Sequence, residues 1–398
     1  MSKVLFINGP ASGHIHPTLG LVEELIAHGE EIVYVASEEY RTKLERLGAR
    51  FVAYDNFLAD KDPWQLGAFM PLVNLILASY EVILPCILQL AETNSFDYLI
   101  HDSMYGCGNL VADLLQLPHV STCSSFVYSE RLWSKHSKHN KEFANNYKHM
   151  KEFFSLAKRM EEAYGLHRKL QVKDVFFNKG DLNILFTSKE LQPEAETLDP
   201  SYQFVGPCIN DRRDTMDLHV DQASGKKIVY VSLGTVFNND KIFYGLIFEA
   251  LRDFDGQVIV SVGERIDMAD FDDIPPHFMV RPYIPQLTVL QQADLFITHG
   301  GMNSVHEALY FDVPLIVVPI AADQPIVASR IAELGAGRVL DISTLTVEIL
   351  RESVQDVLLT DTYRHNSSRI GLALRQAGGQ QAAIEQINQF KLNFGVEG

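Results

Sequence analysis

Short apolar runs rich in β-branched residues recur along this chain, separated by stretches with helical periodicity, and this alternation restricts the fold more than any other feature. Residues 3–8 form the first run, followed by Gly9-Pro10-Ala11-Ser12-Gly13 and a helix pattern over about 17–28 that Gly29 closes. Residues 31–36 form the next run and 39–47 the next helix, closed by Gly48. Further runs lie at 97–101, 118–121, 181–187 and 203–206, and a second series at 228–233, 257–262, 295–298 and 314–319. Brief apolar runs bounded by turn residues and alternating with helices predict parallel strands buried between helical layers. Each half therefore reads as a doubly wound α/β unit.

Between the halves, residues 207–227 lose apolar periodicity and gain charge, which marks a linker. The expected division is 1–207 as the first domain, 208–227 as linker, 228–375 as the second domain and 376–398 as a terminal helical segment. A chain of 398 residues, 46% hydrophobic and 21% charged, holds enough apolar material for two such cores. Its 34 basic and 51 acidic residues give a net charge of −17, a field that repels nucleic acid and anionic membranes. Cys86, Cys107, Cys123 and Cys208 show no C-x-x-C spacing, which fits a reduced compartment and no structural zinc. The N-terminus enters a strand at once, and no stretch reaches about 18 uninterrupted apolar residues. A soluble, cytoplasmic chain without a membrane span is expected.

Residues 281–324 concentrate the functional signal. An apolar strand (295–298) runs into His299-Gly300-Gly301, and a helix is predicted from Asn303 to about residue 311. A glycine pair at a helix N-terminus lets backbone approach a ligand where free N–H groups and the helix dipole favour an anion such as phosphate. His299, Asn303 and Ser304 can add side-chain donors, and His299 can add positive charge against the acidic surface. Glu307, one turn below Asn303, is placed to accept from sugar hydroxyls. After the next strand (314–319), Asp323-Gln324 occupies a loop on the same side of the sheet, since ligands sit outside the carboxyl ends of parallel strands. An ordinary βα turn with a structural glycine pair is the competing reading of His299-Gly300-Gly301 alone.

A second constellation lies near the start. His14 follows the first strand where a helix begins, and a neutral imidazole there can take a proton near neutral pH. Such a base needs an acid on its other ring nitrogen. Asp102, at the end of the run 97–101, would supply it if the two strands are neighbours. His16 and His101 lie close in sequence and are read as structural.

The ordered set Tyr283-Ile284-Pro285-Gln286, Thr298-His299-Gly300-Gly301-Met302-Asn303-Ser304, Glu307, Asp312-Val313-Pro314 and Asp323-Gln324 resembles the nucleotide-sugar signature of family 1 glycosyltransferases, the UDP-glycosyltransferase superfamily. It is most similar to the bacterial branch that glycosylates macrolides and flavonoids. The resemblance implies the GT-B architecture: two Rossmann-like domains facing across a cleft, with the last helix crossing back to the first. It implies that His14 in Gly13-His14-Ile15-His16-Pro17 is the general base and Asp102 its orienting acid. It assigns donor binding to Ser232, Gly234, Thr235, Tyr283, Gln286, His299, Gly300, Gly301, Asn303, Ser304, Glu307, Asp323 and Gln324. It places the acceptor pocket in the first domain, where Trp64, Phe69, Phe126 and Trp133 are candidates.

The implied reaction is an inverting, metal-independent transfer of a sugar to a hydroxyl of a flavonoid, other phenol or macrolide. No cofactor or metal is expected, the nucleotide sugar being a co-substrate, and Asp272-Asp273 reads as surface. Tyr283 stands where many members carry the base-stacking Trp, and a phenol ring also stacks. Met302 replaces the Trp of the plant signature. Gln324 resembles the glucose-preferring form, so UDP-glucose is the first expectation and dTDP-sugars the second. The alternatives are a non-catalytic nucleotide-sugar-binding partner subunit, which usually loses the catalytic or donor residues, and another GT-B enzyme such as a nucleotide-sugar epimerase.

Overall fold

A computed structural model describes residues 1–59, 61, 69–105, 107–127, 146–166, 168–209, 225–234, 240–267, 269, 271 and 274–396. The chain divides into two compact units: Met1–Asn210 together with Ala377–Gly398, and Asp211–Gln376. Residues 210–224, most of the expected linker, lie outside the described residues.

The first unit is built on β1 (Lys3–Ile7), β2 (Glu31–Ser37), β3 (Arg50–Tyr54), β4 (Tyr98–Asp102), β5 (His119–Cys123), β6 (Leu182–Leu185) and β7 (Tyr202–Phe204). They pair in the order β3-β2-β1-β4-β5-β6-β7, all parallel. Burial on both faces explains their near-continuous apolar sequence: Val4, Leu5, Phe6 and Ile7 of β1 are fully buried, as are Tyr98, Leu99 and Ile100 of β4. Because β1 is flanked by β2 on one side and β4 on the other, the direction of winding reverses between β1 and β4. The crevice at such a switch point lies at the carboxyl ends of these two strands.

Four helices of this unit matter for the site and its support: α1 (Ser12–Ile15), α2 (Leu19–Ala27), α3 (Phe69–Thr93) and α4 (Gly108–Leu115). Among the described residues α3 alone, over Met70–Thr93, is long and apolar enough to cross a membrane by length and composition. The expectation of no such segment came from requiring an unbroken apolar run, and α3 interrupts its apolar residues with Asn74, Ser79 and Glu81. Half of its most apolar window is buried inside the protein, where Val73, Ile76, Leu77, Tyr80, Ile83, Leu84 and Ile87 enter the core of the first unit.

Strands of the second unit are β8 (Lys227–Ser232), β9 (Gly256–Ser261), β10 (Phe278–Arg281), β11 (Leu295–Thr298), β12 (Leu315–Val317) and β13 (Gly337–Val339). They form a second parallel sheet in the order β10-β9-β8-β11-β12-β13. Its winding reverses between β8 and β11. Two helices leave the carboxyl ends of this sheet, α5 (Met302–Tyr310) after β11 and α6 (Gln324–Glu333) after β12. The last helix, α7 (Gly379–Phe394), belongs to the first unit. Its Ala383, Ile384, Ile387 and Phe390 join the core of that unit, and Lys391 forms a buried ion pair with Glu30. All four cysteines are free thiols.

Candidate active site

At the switch point of the first sheet the chain leaves β1 through Asn8 and Gly9. A Cβ on Gly9 would stand 2.3 Å from the Tyr105 side chain, so only glycine allows this approach. One turn of helix, α1, then carries His14. The backbone oxygen of His14 accepts from Asn8 Nδ2 (3.1 Å), and the same amide donates to Tyr34 Oη (3.0 Å). Asn8 is fully buried. It therefore fixes the His14 turn to the strand layer beneath it.

Asp102 ends β4 and is fully buried. Its Oδ1 accepts from the backbone N–H groups of Met104 and Tyr105, both at 2.8 Å. Its Oδ2 lies 2.9 Å from His14 Nδ1. A carboxylate only accepts, so Nδ1 carries the proton in this pair and Nε2 keeps its lone pair. Three hydrogen bonds offset the cost of burying the carboxylate. Ser124 Oγ is also 2.8 Å from Nδ1, and the Tyr105 ring meets the imidazole edge-on at 4.7 Å. The His14 side chain is 14% exposed.

Neighbouring histidines are placed differently. His16 Nε2 is 3.1 Å from Lys43 Nζ. His101 is buried, with Nδ1 3.1 Å from the Asp102 carbonyl and Nε2 2.9 Å from His119 Nδ1. Burial, with the adjacent His119 ring, pushes the pKa of His101 down to about 3, so it is neutral. A pocket opens beside His14, lined among others by Ser103, Met104, Phe126, Phe177 and Tyr202. Phe126 thus shares a pocket with His14. Trp64 and Trp133 lie outside the described residues, as does the side chain of Phe69, whose backbone begins α3.

In the second unit the corresponding switch point brings Ser232, Gly234 and the His299 turn together. Ser232 Oγ accepts from Gly234 N (3.3 Å). A Cβ on Gly234 would lie 2.6 Å from the His299 ring, and one on Gly301 would lie 2.5 Å from His299 Nε2. The imidazole is thus packed between two positions that have room only for hydrogen. Gly300 has φ of 87°, and a Cβ there would strike Val317 at 2.5 Å and approach the Gln324 carbonyl at 3.7 Å. The turn and the Asp323-Gln324 loop are therefore neighbours. Burial pushes the pKa of His299 down to about 4. The positive charge expected of His299 is absent at neutral pH, and attraction for an anion falls to the N-terminus of α5, which no side chain caps.

Asn303 and Ser304 lie in the first turn of α5, and Glu307 follows one turn on, 4% exposed. Gln286 donates through Nε2 to Glu307 Oε2 (2.7 Å) and Ser304 Oγ (3.3 Å). Its contact in this structure is with the acid rather than with open solvent. Tyr283 is 53% exposed. Asp323 is the N-cap of α6. Gln324 is buried, and its Oε1 accepts from the N–H groups of Ile320 (2.8 Å) and Ala321 (3.0 Å). Thr235, Asp272 and Asp273 lie outside the described residues. Among those described, no group of three or more His, Cys, Asp or Glu is placed to hold a metal ion.

Asn8, Ser124 and Tyr105 escaped the sequence reading. For Asn8 the available signal was a single amide closing an otherwise apolar strand. Ser124 and Tyr105 act through contacts between segments that no local pattern reveals. Phe177 and Tyr202 of the pocket come from distant segments for the same reason.

Residues 245–376 match the family profile described as the C-terminal domain of erythromycin biosynthesis protein CIII-like proteins. The whole chain is 36% identical over 399 aligned residues to an uncharacterized UDP-glucosyltransferase, YojK, of Bacillus subtilis, covering 97% of each. Among solved structures it resembles the glycosyltransferase of kitacinnamycin, with a TM-score of 0.87, 26% identity and 98% of each chain covered. It also resembles the calicheamicin glycosyltransferase CalG4, with a TM-score of 0.83, 26% identity and 99% of each chain covered.

Proposed function

The chain belongs to the family 1 glycosyltransferases, in their bacterial branch, and from that premise we propose that it moves glucose from UDP-glucose to a hydroxyl of a flavonoid, other phenol or macrolide, with inversion and without a metal. The fold is GT-B, the activity is glycosyl transfer, and the substrates are a nucleotide sugar and a small natural-product acceptor. The kitacinnamycin and calicheamicin relatives support a natural-product acceptor, and the UDP-glucosyltransferase of Bacillus subtilis supports the donor.

One observation carries the mechanism: Asp102, pinned by two backbone N–H groups, holds the proton of His14 on Nδ1. In the proposed step His14 Nε2 takes the proton of the acceptor hydroxyl as its oxygen attacks the anomeric carbon. The bond from that carbon to the diphosphate oxygen breaks, and its electron pair leaves with UDP. The sugar configuration inverts. Backbone N–H groups at the His299 turn and the end of α5 are assigned the charge growing on the diphosphate. Glu307 is assigned the ribose, Tyr283 the base, and Asp323 with Gln324 the sugar. Phe126 is assigned to the acceptor.

The test is a mass-spectrometric screen with UDP-glucose and dTDP-glucose against phenols, flavonoids and macrolides, run beside His14→Ala. The expected result is a hexose adduct whose formation falls by ~10²–10⁴ in the variant while UDP affinity stays near that of the parent. Normal turnover by the variant removes the general-base assignment. Tight UDP binding with no adduct from any donor favours a binding subunit instead.

A further inference from the structure

Three neighbouring strands of the first sheet, β1, β4 and β5, deliver His14, Asp102 and Ser124 at their carboxyl ends. Ser124 is the residue after β5, and the backbone leading to it is fixed on both sides: Ser103 N donates to Thr122 O (2.9 Å) and Phe186 N to Cys123 O (3.2 Å). The Thr122 hydroxyl adds a bond to His101 O (3.1 Å). Cys123, Ser125 and Phe126 line the pocket beside His14, whereas Ser124 is 5% exposed and sets its Oγ 2.8 Å from His14 Nδ1. That nitrogen also faces Asp102 Oδ2 at 2.9 Å. Two oxygens therefore meet one ring nitrogen. Of the two, the carboxylate is the stronger acceptor, so it keeps the proton on Nδ1. A hydroxyl cannot donate to a nitrogen that already carries a proton, which leaves Ser124 only its lone pairs to offer.

We propose that Ser124 is a positioning residue for the general base, whose Oγ accepts a share of the Nδ1–H bond and binds it more strongly as the imidazole becomes charged. The inference rests on the reading of His14 as that base. When Nε2 takes the proton of the acceptor hydroxyl, the ring becomes an imidazolium and Nδ1–H a charge-assisted donor. Both oxygens then hold it more tightly than they hold the neutral ring, so Ser124 favours the protonated state over the neutral one. It also restrains the ring: Asp102 and Ser124 on Nδ1, with the Tyr105 ring edge-on at 4.7 Å, brace the imidazole from three separate segments. In this role Ser124 acts through His14 and not through contact with a substrate.

Two variants test it: Ser124→Ala removes the oxygen, and Ser124→Thr keeps it. The readouts, in the full chain with UDP-glucose, are kcat for an alcohol and for an already ionised nitrophenol, the pH profile of kcat/KM for the alcohol, and UDP affinity. Ser124→Ala is expected to lower the plateau kcat for the alcohol about fivefold, with the nitrophenolate rate and UDP affinity within about twofold of the parent. Its acid limb is expected about half a pH unit below that of the parent, because the imidazolium has lost a partner, so the deficit shrinks in acid. The other titratable groups by the imidazole, Asp102, Tyr105 and Cys123, with Lys179 and Tyr202 of the pocket, are the same in both proteins, so the shift reports on Ser124. Ser124→Thr is expected to recover most of the lost rate. An alcohol kcat for Ser124→Ala within about twofold of the parent, or above it, overturns the proposal. So does an equal loss for both acceptors, or an acid limb that stays in place, either of which marks a loss of shape rather than of proton affinity. A Ser124→Thr protein that melts with the parent yet turns over no faster than Ser124→Ala overturns it too. A parent that transfers from neither UDP-glucose nor dTDP-glucose, or a His14→Ala protein that transfers like the parent, removes the proposed function itself, and the inference with it.

Discussion

Replacing Asp102 by Asn removes one charge and almost no volume, and the structure dictates which way the new amide must face. In one orientation its oxygen keeps the bonds from Met104 N and Tyr105 N, now at 2.8 Å each, and its NH₂ group points at His14 Nδ1. In the other, the oxygen serves His14 and the NH₂ group opposes two backbone N–H groups, that of Tyr105 buried and that of Met104 partly so. Leaving those two donors unsatisfied costs about 1–3 kcal/mol each, so roughly 2–6 kcal/mol together, whereas the first orientation only reverses the bond to the imidazole. The first orientation wins. It forces Nδ1 to accept, moves the imidazole proton to Nε2 and blocks the atom that should receive the acceptor proton. Ser124 Oγ, 2.8 Å from Nδ1, can donate in the same sense and reinforces the wrong tautomer.

The expected outcome is a fall in kcat of ~10²–10⁴ for an aliphatic alcohol acceptor. UDP affinity should be unchanged, and the melting temperature should shift by only a few degrees, since both backbone hydrogen bonds survive and the bond to the imidazole is reversed rather than lost. An acidic phenol that is already ionised at the assay pH needs no base, so its kcat should fall far less. Steady-state kinetics at saturating donor, with an alcohol and a nitrophenol side by side, measure both. A kcat within about threefold of the parent for the alcohol would falsify the tautomer argument. Equal losses for both acceptors would also refute it, by showing that the damage is not to proton transfer.

Acid should destabilise both units through buried neutral histidines. Burial depresses His101 in the first unit and His306 in the second to about 3, whereas the unfolded chain titrates near 6.5. Between those values the unfolded state binds more protons, so stability is intact above about pH 6.5 and declines as pH falls, by about 2 kcal/mol per histidine at pH 5. Denaturation curves at pH 7 and 5 that coincide would contradict this. Lys391→Met strands the buried Glu30 carboxylate and should cost about 3–5 kcal/mol, while the double change with Glu30→Gln should recover much of that loss. A double variant as unstable as the single one would show that packing of α7, not charge, is responsible.

The sheets were legible in the sequence wherever a strand is buried on both faces. The runs that became β1, β2, β4, β8, β9, β11 and β12 are nearly all apolar because no face of them meets water. The strands that went unnoticed are β3, β10 and β13, and all three are edges of their sheets. With a neighbour on one side only, they mix Arg50, Arg281 or Arg338 with apolar residues and lack a continuous run. The pairing of His14 with Asp102 was readable because both stand at strand ends and β1 pairs β4. The neutral state of His299 was not, because it depends on the glycines and strands packed around the ring. The bonds of Gln324 Oε1 to Ile320 and Ala321 were equally hidden: alanine at 322 gives no sign of the left-handed backbone there.

Because α7 completes the core that β1 began, the second unit is an insertion within the first. During synthesis, a ribosome that has made residue 376 has produced every residue of the second unit but not the helix that the first still needs. Ala383, Ile384, Ile387 and Phe390 are made after it. At about 5–20 residues per second, the 22 residues 377–398 take roughly 1–4 s to add. For that interval the surface that receives α7 is open, and the nascent first unit is a substrate for chaperones.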